Sequence, residues 1–525
     1  MLPISQLQNH PSVLISLVFL LGGFLIWTIR SKKRNACPLP PGPPAEPFIG
    51  HFRLIPERNP EHKYIEWGKK YNSDILYLNV LGRPIIVINS TKVAHELLDK
   101  RGANYADRPR FVLFEVMGWG ITLTFLRWGP QFKLHRKLLQ QSFTPTACKP
   151  YRAIQEEEAR RACRQILSHP RDWETLSRCF SSGIVMRIGF GVKIEDKDDP
   201  YIQMAINAET ATGNGGTPAG TIVDFFPLLR HFPAWLVGSD ALQHARDSKS
   251  AIQTLHDAPW AATEPEIKSG KAKDTSFMRI HYERFFKNLE EGKGNEMTLA
   301  DIKGAAGAIS IAGGNTTWST IVVCILYLIL YPDVQKKARA EIDAVTGGDR
   351  LPTFDDRPSM TYLEYVIEET TRCVPLSPLG VPHAVLEDDI YEGMLIPKGS
   401  VVYANAQAMT HDERVYSNPN IFNPDRYAAK EKGGLGEPLP EGPFGFGRRV
   451  CPGRHLALAG VYIFMAYMLA TFELKPITGP DGKEIPPEIR LTNGLSSRPE
   501  PFHCSIVPRS EKVKRFYDDN EKQLV

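Results

Sequence analysis

Hydrophobic positions divide this chain into three regimes. The first is an uninterrupted apolar run, Ser12 to Ile29 (SVLISLVFLLGGFLIWTI), without a charged side chain. At a helical rise of about 1.5 Å per residue it spans roughly 27 Å, close to the thickness of a hydrocarbon core. Arg30, Lys32, Lys33 and Arg34 follow at once, and only the chain's own amine carries charge before it. A cleaved secretory signal has the reverse order, with basic residues first and a small-residue site after the run. The pattern predicts a transmembrane helix over 12–29, a short lumenal segment over 1–11 and a cytosolic remainder. Residues 30–44 combine this basic stop with Pro38-Leu39-Pro40-Pro41-Gly42-Pro43-Pro44. Prolines lack amide donors and favour an extended, stiff connector, so this stretch reads as an arm holding a domain off the membrane.

The second regime alternates. Residues 74–89 (DILYLNVLGRPIIVIN) are β-branched on both sides of Gly82-Arg83-Pro84 and predict a β-hairpin. The third is helical and dominates from about residue 128. Within it, 213–220 (GNGGTPAG) is a loop. It leads into Asp224-Phe225-Phe226-Pro227-Leu228-Leu229 and then Phe232, Pro233, Trp235 and Leu236. This aromatic patch is either core or a second membrane contact. Residues 301–330 (DIKGAAGAISIAGGNTTWSTIVVCILYLIL) are nearly all apolar or small. A helix apolar all round is buried, and its small residues let something large approach its backbone. A second membrane span from Thr316 to Leu330 is the competing reading, set against it by the Gly-Gly-Asn-Thr-Thr centre and the missing basic flank. Together the patterns predict one large, mainly α domain with a minor β portion over 45–510 and a charged tail over 511–525.

Composition narrows the chemistry. With 42% hydrophobic and 23% charged residues the chain is globular. A formal charge of +4, with no basic run interleaved with aromatics, gives no reason to expect nucleic acid as partner. The eight cysteines (Cys37, Cys148, Cys163, Cys179, Cys324, Cys373, Cys451, Cys504) include no CxxC pair and no zinc-type spacing. A disulfide framework is not expected in a large cytosolic domain.

One cysteine has a distinctive setting. Phe444, Gly447, Arg449, Cys451 and Gly453 match FxxGxRxCxG, a chance match on the order of one in ten thousand in a chain this long. The segment suits a heme thiolate. Cysteine binds iron only as thiolate, whose charge needs stabilising. Flanking glycines let the backbone approach a macrocycle and aim amides at sulfur. Arg449 can pair with a carboxylate, and Phe444 can shield the sulfur from water. A thiolate ligand pushes electron density to iron and favours O–O cleavage.

At these residues the chain resembles the cytochrome P-450 family, and the likeness runs from Pro40 to about Val507. Glu369-Thr370-Thr371-Arg372 matches the family's ExxR, with its two charges on one helix face. Phe422-Asn423-Pro424-Asp425-Arg426 matches its FxPxR. The resemblance implies that Glu369, Arg372 and Arg426 form a buried triad on the proximal side. Ala312-Gly313-Gly314-Asn315-Thr316-Thr317 matches the oxygen-activating helix, which implies that Thr316 sits beside dioxygen and steers protons. Asn315 replaces the usual acid there, and an amide cannot relay a proton by titrating. Asn315→Asp is therefore expected to raise product formed per NADPH consumed. The resemblance further implies Arg136, His383 and Arg449 as partners of the heme propionates. In the WxxxR pattern Phe132 replaces the tryptophan and loses its indole donor, and an ordinary loop histidine is the alternative for His383.

The implied cofactor is heme b, with electrons from NADPH through a separate FAD- and FMN-bearing reductase. No GxGxxG fingerprint is present for hydride transfer. Lys430, Lys432 and Arg448 are either a docking surface for that reductase or plain solubilising charges, with Glu431 among them. The implied reaction inserts one atom of O2 into a lipophilic small molecule: a terpenoid, polyketide, fatty acyl or aromatic compound. Phe111, Val112, Phe114, Val116 and Trp119, with Ala308 and Ala312, suggest the apolar pocket. Motif style (YADRP, GVPHA, AGGNTT) resembles fungal secondary-metabolism members, and xenobiotic oxidation fits the same chemistry. The implied location is the endoplasmic reticulum membrane, single-pass, with a cytosolic catalytic domain. Two rivals stand beside this: a heme-thiolate isomerase, dehydratase or peroxygenase, and a non-catalytic heme-binding protein.

Overall fold

The computed structural model describes residues 37–213, 220–493 and 495–518. The expected anchor over 12–29, its basic flank and most of the 213–220 loop lie outside the described residues.

The polypeptide is mainly helical with a small sheet. The helices that build the site are α1 (Pro60–Tyr71), α2 (Val112–Met117), α3 (Pro130–Ser142), α4 (Tyr151–Ser168), α5 (Trp173–Phe190), α6 (Pro200–Gly213), α7 (Lys249–Lys268), α8 (Leu299–Leu330), α9 (Thr361–Cys373) and α10 (Arg454–Thr471). The sheet contains β1 (Ile75–Val80), β2 (Arg83–Ile88), β3 (His383–Ala384) and β4 (Val401–Ala404), in the order β1-β2-β4-β3.

The expected hairpin is β1–β2, antiparallel with Ile75 opposite Ile88 and Val80 opposite Arg83. Its turn is Leu81-Gly82, both at positive φ (49° and 84°), the backbone that matches strand twist in two-residue hairpins. Arg83 and Pro84 therefore belong to the strand and not to the break. β2 pairs in parallel with β4, from Ile85–Val401 to Ile88–Ala404. β3 places His383 opposite Val402 at the other edge. Helical structure also begins before residue 128, at α1 and α2, where short segments give periodicity too few turns to declare itself.

α8 starts with a capping box: Thr298 Oγ1 accepts from the Asp301 amide at 3.2 Å, and Asp301 Oδ2 accepts from the Thr298 amide at 3.0 Å. It packs along α5, where small residues set the spacing. A Cβ on Gly313 would fall 2.6 Å from Val185 Cγ1, and one on Gly189 would fall 3.1 Å from Ser310 Oγ. α8 and α10 are both long and apolar enough to cross a membrane, yet 72% and 78% of those windows are buried in protein. Both are core helices.

Two boundaries differ from expectation. The proline run is no free-standing arm: Pro41 O accepts from the Tyr77 amide at 3.0 Å and Pro38 O from the Leu395 amide at 2.7 Å. Proline lacks a donor but keeps its carbonyl, which is enough to dock it. The C-terminal tail is also seated as far as it is described. Val513 and Tyr517 are buried, and the Tyr517 hydroxyl bonds Thr471 Oγ1 at 2.7 Å.

Candidate functional site

Cys451 sits just before α10, whose N-cap is Gly453. Its amide donates to Phe444 O at 2.9 Å, which closes the loop. Gly447 holds φ +56°, and a Cβ there would lie 2.0 Å from Leu98 O, so only glycine fits. Protein surrounds the Cys451 thiol, yet the residue keeps accessible surface. Burial pushes the thiol up; the Gly453 and Arg454 amides bonded to it, and the charges of Arg136 and Arg454, oppose that rise. These are the groups a thiolate needs at a helix N-terminus.

Cations crowd one side of this loop. The Arg449 guanidinium lies 3.5 Å from the Phe132 ring centroid, and its Nε donates to Ala106 O at 2.7 Å. Its Nη1 and Nη2 are buried and have no hydrogen-bond partner among the described residues. Arg136 Nη1 donates to Val450 O at 2.5 Å. His383 is buried, and its Nδ1 lies 2.8 Å from Tyr105 O. Arg108, which sequence reasoning did not single out, is buried beside them and donates to Pro382 O at 2.9 Å. Burial pushes Arg449 down to about 9, with Arg136 and Arg127 adding and Asp107 opposing. His383 is pushed down to about 3 by burial and the Arg108 charge. Arg108 is pressed well below its usual value by burial and by Arg449. Buried guanidinium nitrogens without acceptors cost about 1–3 kcal/mol each or more. The cluster therefore fits an anionic group placed among Arg449, Arg108 and His383. Heme propionates would answer that requirement, and Cys451 could then hold the iron.

The three residues of the expected triad are brought together. Arg372 Nε and Nη2 donate to Glu369 Oε2 and Oε1 at 2.7 and 2.9 Å, and Arg426 Nε donates to Oε1 at 2.9 Å. All three are fully buried. Sequence reasoning missed three further members. The Tyr427 hydroxyl donates to Glu369 at 2.7 Å, the Asn423 amide at 2.8 Å, and Glu437 pairs with Arg426. Burial pushes Glu369 up, and the bonds and charge of Arg372, with Asn423 and Arg426, bring it below the ordinary carboxylate value.

On α8, Ala312 and Thr316 are exposed in the middle of a buried helix, one turn apart. They open on free space along one face. Thr316 Oγ1 donates to Ala312 O at 2.7 Å. Asn315 points elsewhere, toward α5, where its Oδ1 accepts from Arg178 Nη1 at 3.3 Å. Of the expected pocket residues only Ala312 is exposed. Phe111, Phe114, Trp119 and Ala308 are buried. The three aromatics pack on Phe125 at centroid distances of 5.4, 4.9 and 6.1 Å, so they form a wall and not an open lining. Aromatic rings in the expected loop bury one another because edge and tilted contacts add to their burial.

With this geometry in hand, comparison with known proteins is informative. The family model described as Cytochrome P450 matches residues 40–505. A cytochrome P450 monooxygenase of Armillaria gallica is 34% identical over 495 residues, 93% of this chain and 95% of that protein. Cytochrome P450 monooxygenase 208 of Postia placenta is 35% identical, covering 94% and 95%. The tryptamine 4-monooxygenase of Psilocybe cyanescens is 32% identical, covering 95% and 99%.

Proposed function

This chain belongs to the cytochrome P450 family and is a heme-thiolate monooxygenase, and we propose that it oxidises a lipophilic small molecule at the cytosolic face of the endoplasmic reticulum membrane. One observation carries the assignment of the heme site: two buried nitrogens of Arg449, without a hydrogen-bond partner among the described residues, stand within the loop that carries Cys451. Arg449, Arg108, Arg136 and His383 would hold the propionates, Cys451 the iron, and the amides of Gly453 and Arg454 the thiolate charge. Heme bound there supplies the reduction of O2 and the transfer of one oxygen atom to the substrate.

The chain's own residues do the rest. The triad around Glu369 ties α9 to the segment from Asn423 to Glu437. Thr316 lies on the open face of α8 with its own proton given to Ala312 O, which leaves Oγ1 free to accept a proton donor there. The wall of Phe111, Phe114, Phe125 and Trp119 excludes water and supports a lipophilic substrate, of terpenoid, polyketide, fatty acyl or aromatic type. An aromatic substrate also accords with the name of the tryptamine-oxidising relative.

Electrons come, in this reading, from NADPH through a separate FAD- and FMN-containing reductase. Lys133 and Arg448 both lie over the Trp128 ring, at 5.1 and 5.4 Å, and Lys430 and Lys432 are exposed nearby in sequence. This supports a basic docking surface beside the thiolate loop. The residues 12–29 serve as the anchor. The exposed Phe226, Leu228, Phe232, Trp235 and Leu236 support a second contact with the same membrane.

Co-expression with a reductase, followed by untargeted product analysis, tests the reading. The expected result is an NADPH-dependent product heavier by one oxygen atom. Equal turnover with peroxide and no reductase would replace it by a peroxygenase. A thiolate-type carbon monoxide difference spectrum that survives Cys451→Ser would overturn the heme ligand.

A further inference from the structure

Asn315 occupies the position where the family pattern has an acid, and its surroundings contain one on another helix. Its Oδ1 accepts from Arg178 Nη1 at 3.3 Å. A guanidinium only donates, so the oxygen end of the amide is turned to Arg178 and its N–H2 end is turned away. The same Nη1 donates to Glu209 Oε2, on α6, at 2.7 Å. Arg498 Nε donates to Glu209 Oε1 at 2.8 Å. Both arginines lie over one ring, that of Trp318, at 3.5 and 5.0 Å from its centroid. Trp318 is fully buried and is one turn beyond Asn315 on α8; its indole donates to Glu174 O at 3.1 Å. The Arg178 side chain is 9% exposed and that of Glu209 is 18% exposed, so solvent screens this pair little.

We infer that Glu209 is the distal carboxylate of this enzyme, a positioning residue on α6 that acts on Asn315 through Arg178 in place of an acid on α8. Two consequences follow from the charges. Arg178 alone would be a buried cation beside the path by which protons reach Thr316, and would oppose them. Glu209 neutralises it and holds it where it fixes the orientation of the Asn315 amide, the residue next to Thr316 on α8. Burial pushes Glu209 up, but Arg178 and Arg498 more than reverse this, which keeps it ionised at neutral pH. Because the carboxylate belongs to α6, this arrangement exists only while α6 is seated against α5 and α8.

The inference rests on the monooxygenase activity. Its test uses the full-length holoenzyme with its reductase and 7-ethoxycoumarin as a lipophilic probe. Glu209→Gln is expected to lower product per NADPH about tenfold, to raise the hydrogen peroxide released, and to change the solvent isotope effect on turnover. Asn315→Asp with Glu209→Gln returns a carboxylate to Arg178 from α8 and is expected to restore product per NADPH to within about twofold. Asn315→Asp alone, which the sequence by itself leads one to expect would raise product per NADPH, puts two carboxylates on one arginine and in this arrangement brings no gain; a rise above wild type would overturn the inference. Hydrogen exchange gives a readout apart from activity. Glu209→Gln speeds exchange in Pro200–Gly213, and the double variant leaves it fast although coupling has returned. A purely structural Glu209 would move exchange and coupling together, or change stability with coupling and isotope effect intact, and either outcome overturns the inference. If Glu209→Gln does not load heme, Glu209→Asp carries the same test, since it keeps the charge and shortens the reach. A wild-type protein without NADPH-dependent product would count against the activity itself; unchanged exchange in α6 on Glu209→Gln would still overturn this inference.

Discussion

The guanidinium carbon of Arg449 lies 3.5 Å from the centroid of the Phe132 ring. By sequence Phe132 is a loss, a tryptophan position without its indole donor. In the fold its face supports a buried cation, which any aromatic ring does. Phe132→Ala removes a buried ring and that support, and is expected to cost about 3–5 kcal/mol and to lower the heme-to-protein ratio. Phe132→Trp keeps the face and is expected to retain heme. Thermal unfolding and heme absorbance read both variants. An alanine variant as stable as wild type would remove the platform from the account.

Glu369 is the hub of a network, and every group bonded to it is a donor. Glu369→Gln leaves Arg372 and Arg426 buried with no countercharge on the hub, a loss expected to reach about 3–5 kcal/mol. Its pH dependence has a definite sign. The folded carboxyl titrates below its ordinary value of 4.5. Its stabilisation is therefore complete above that value and is lost as pH falls through the depressed folded pKa. Acid unfolding of Glu369→Gln should consequently be flatter than wild type in the window below about 4.5. Parallel acid limbs in the two proteins would assign acid sensitivity to other groups.

Much of the proximal side was legible in the sequence because its chemistry is local. The Cys451 loop and the Glu369–Arg372 pair each span a few residues, so spacing alone exposes them. Glu437 and Tyr427 are invisible that way, because nothing short-range links them to Glu369. Arg108 lay in plain view within YADRP, but its role depends on Arg449, which is distant in sequence. The distal side was hardest. Asn315 reads as a missing acid until the fold brings Glu209 and Arg498, 106 residues before and 183 after it, to the same arginine. The pocket aromatics were found, but not that they would pack on Phe125 and bury one another.

The even choice between core and membrane contact for the 224–236 patch tilts with the fold. Asp224 turns inward, accepting from the Leu113 amide at 3.2 Å, while Leu228 is 77% and Trp235 80% exposed. Exposed apolar residues clustered in this way mark an interaction surface. In vesicles containing brominated lipids, full-length protein carrying Trp27→Phe, which removes the tryptophan of the 12–29 run, is expected to show quenched tryptophan emission, and adding Trp235→Phe should remove most of the quenched component. Equal quenching in the two proteins would detach this patch from the bilayer.

Two glycines of the cysteine loop separate folding from heme binding. Gly447 holds φ +56°, and an added Cβ would stand 2.0 Å from the Leu98 carbonyl oxygen. Left-handed backbone alone costs a non-glycine residue roughly 1–2 kcal/mol, and the clash requires the loop to move as well. Gly447→Ala is therefore expected to lower the unfolding temperature and the heme content together. Gly453 is different. Its φ is −86°, and a Cβ there meets no protein atom within 4 Å. Nothing in the protein itself resists alanine at this position beyond a modest capping penalty of about 0.5–1 kcal/mol. The Gly453 amide bonds the Cys451 thiol, so a side chain added here would stand close to a heme held by that cysteine. Gly453→Ala is expected to express and fold near wild-type stability but with a reduced heme-to-protein ratio, because the methyl group enters space that only the macrocycle needs. A variant with full heme content would mean that the macrocycle keeps clear of Gly453, and the close approach would then belong to Gly445 or Phe444 instead.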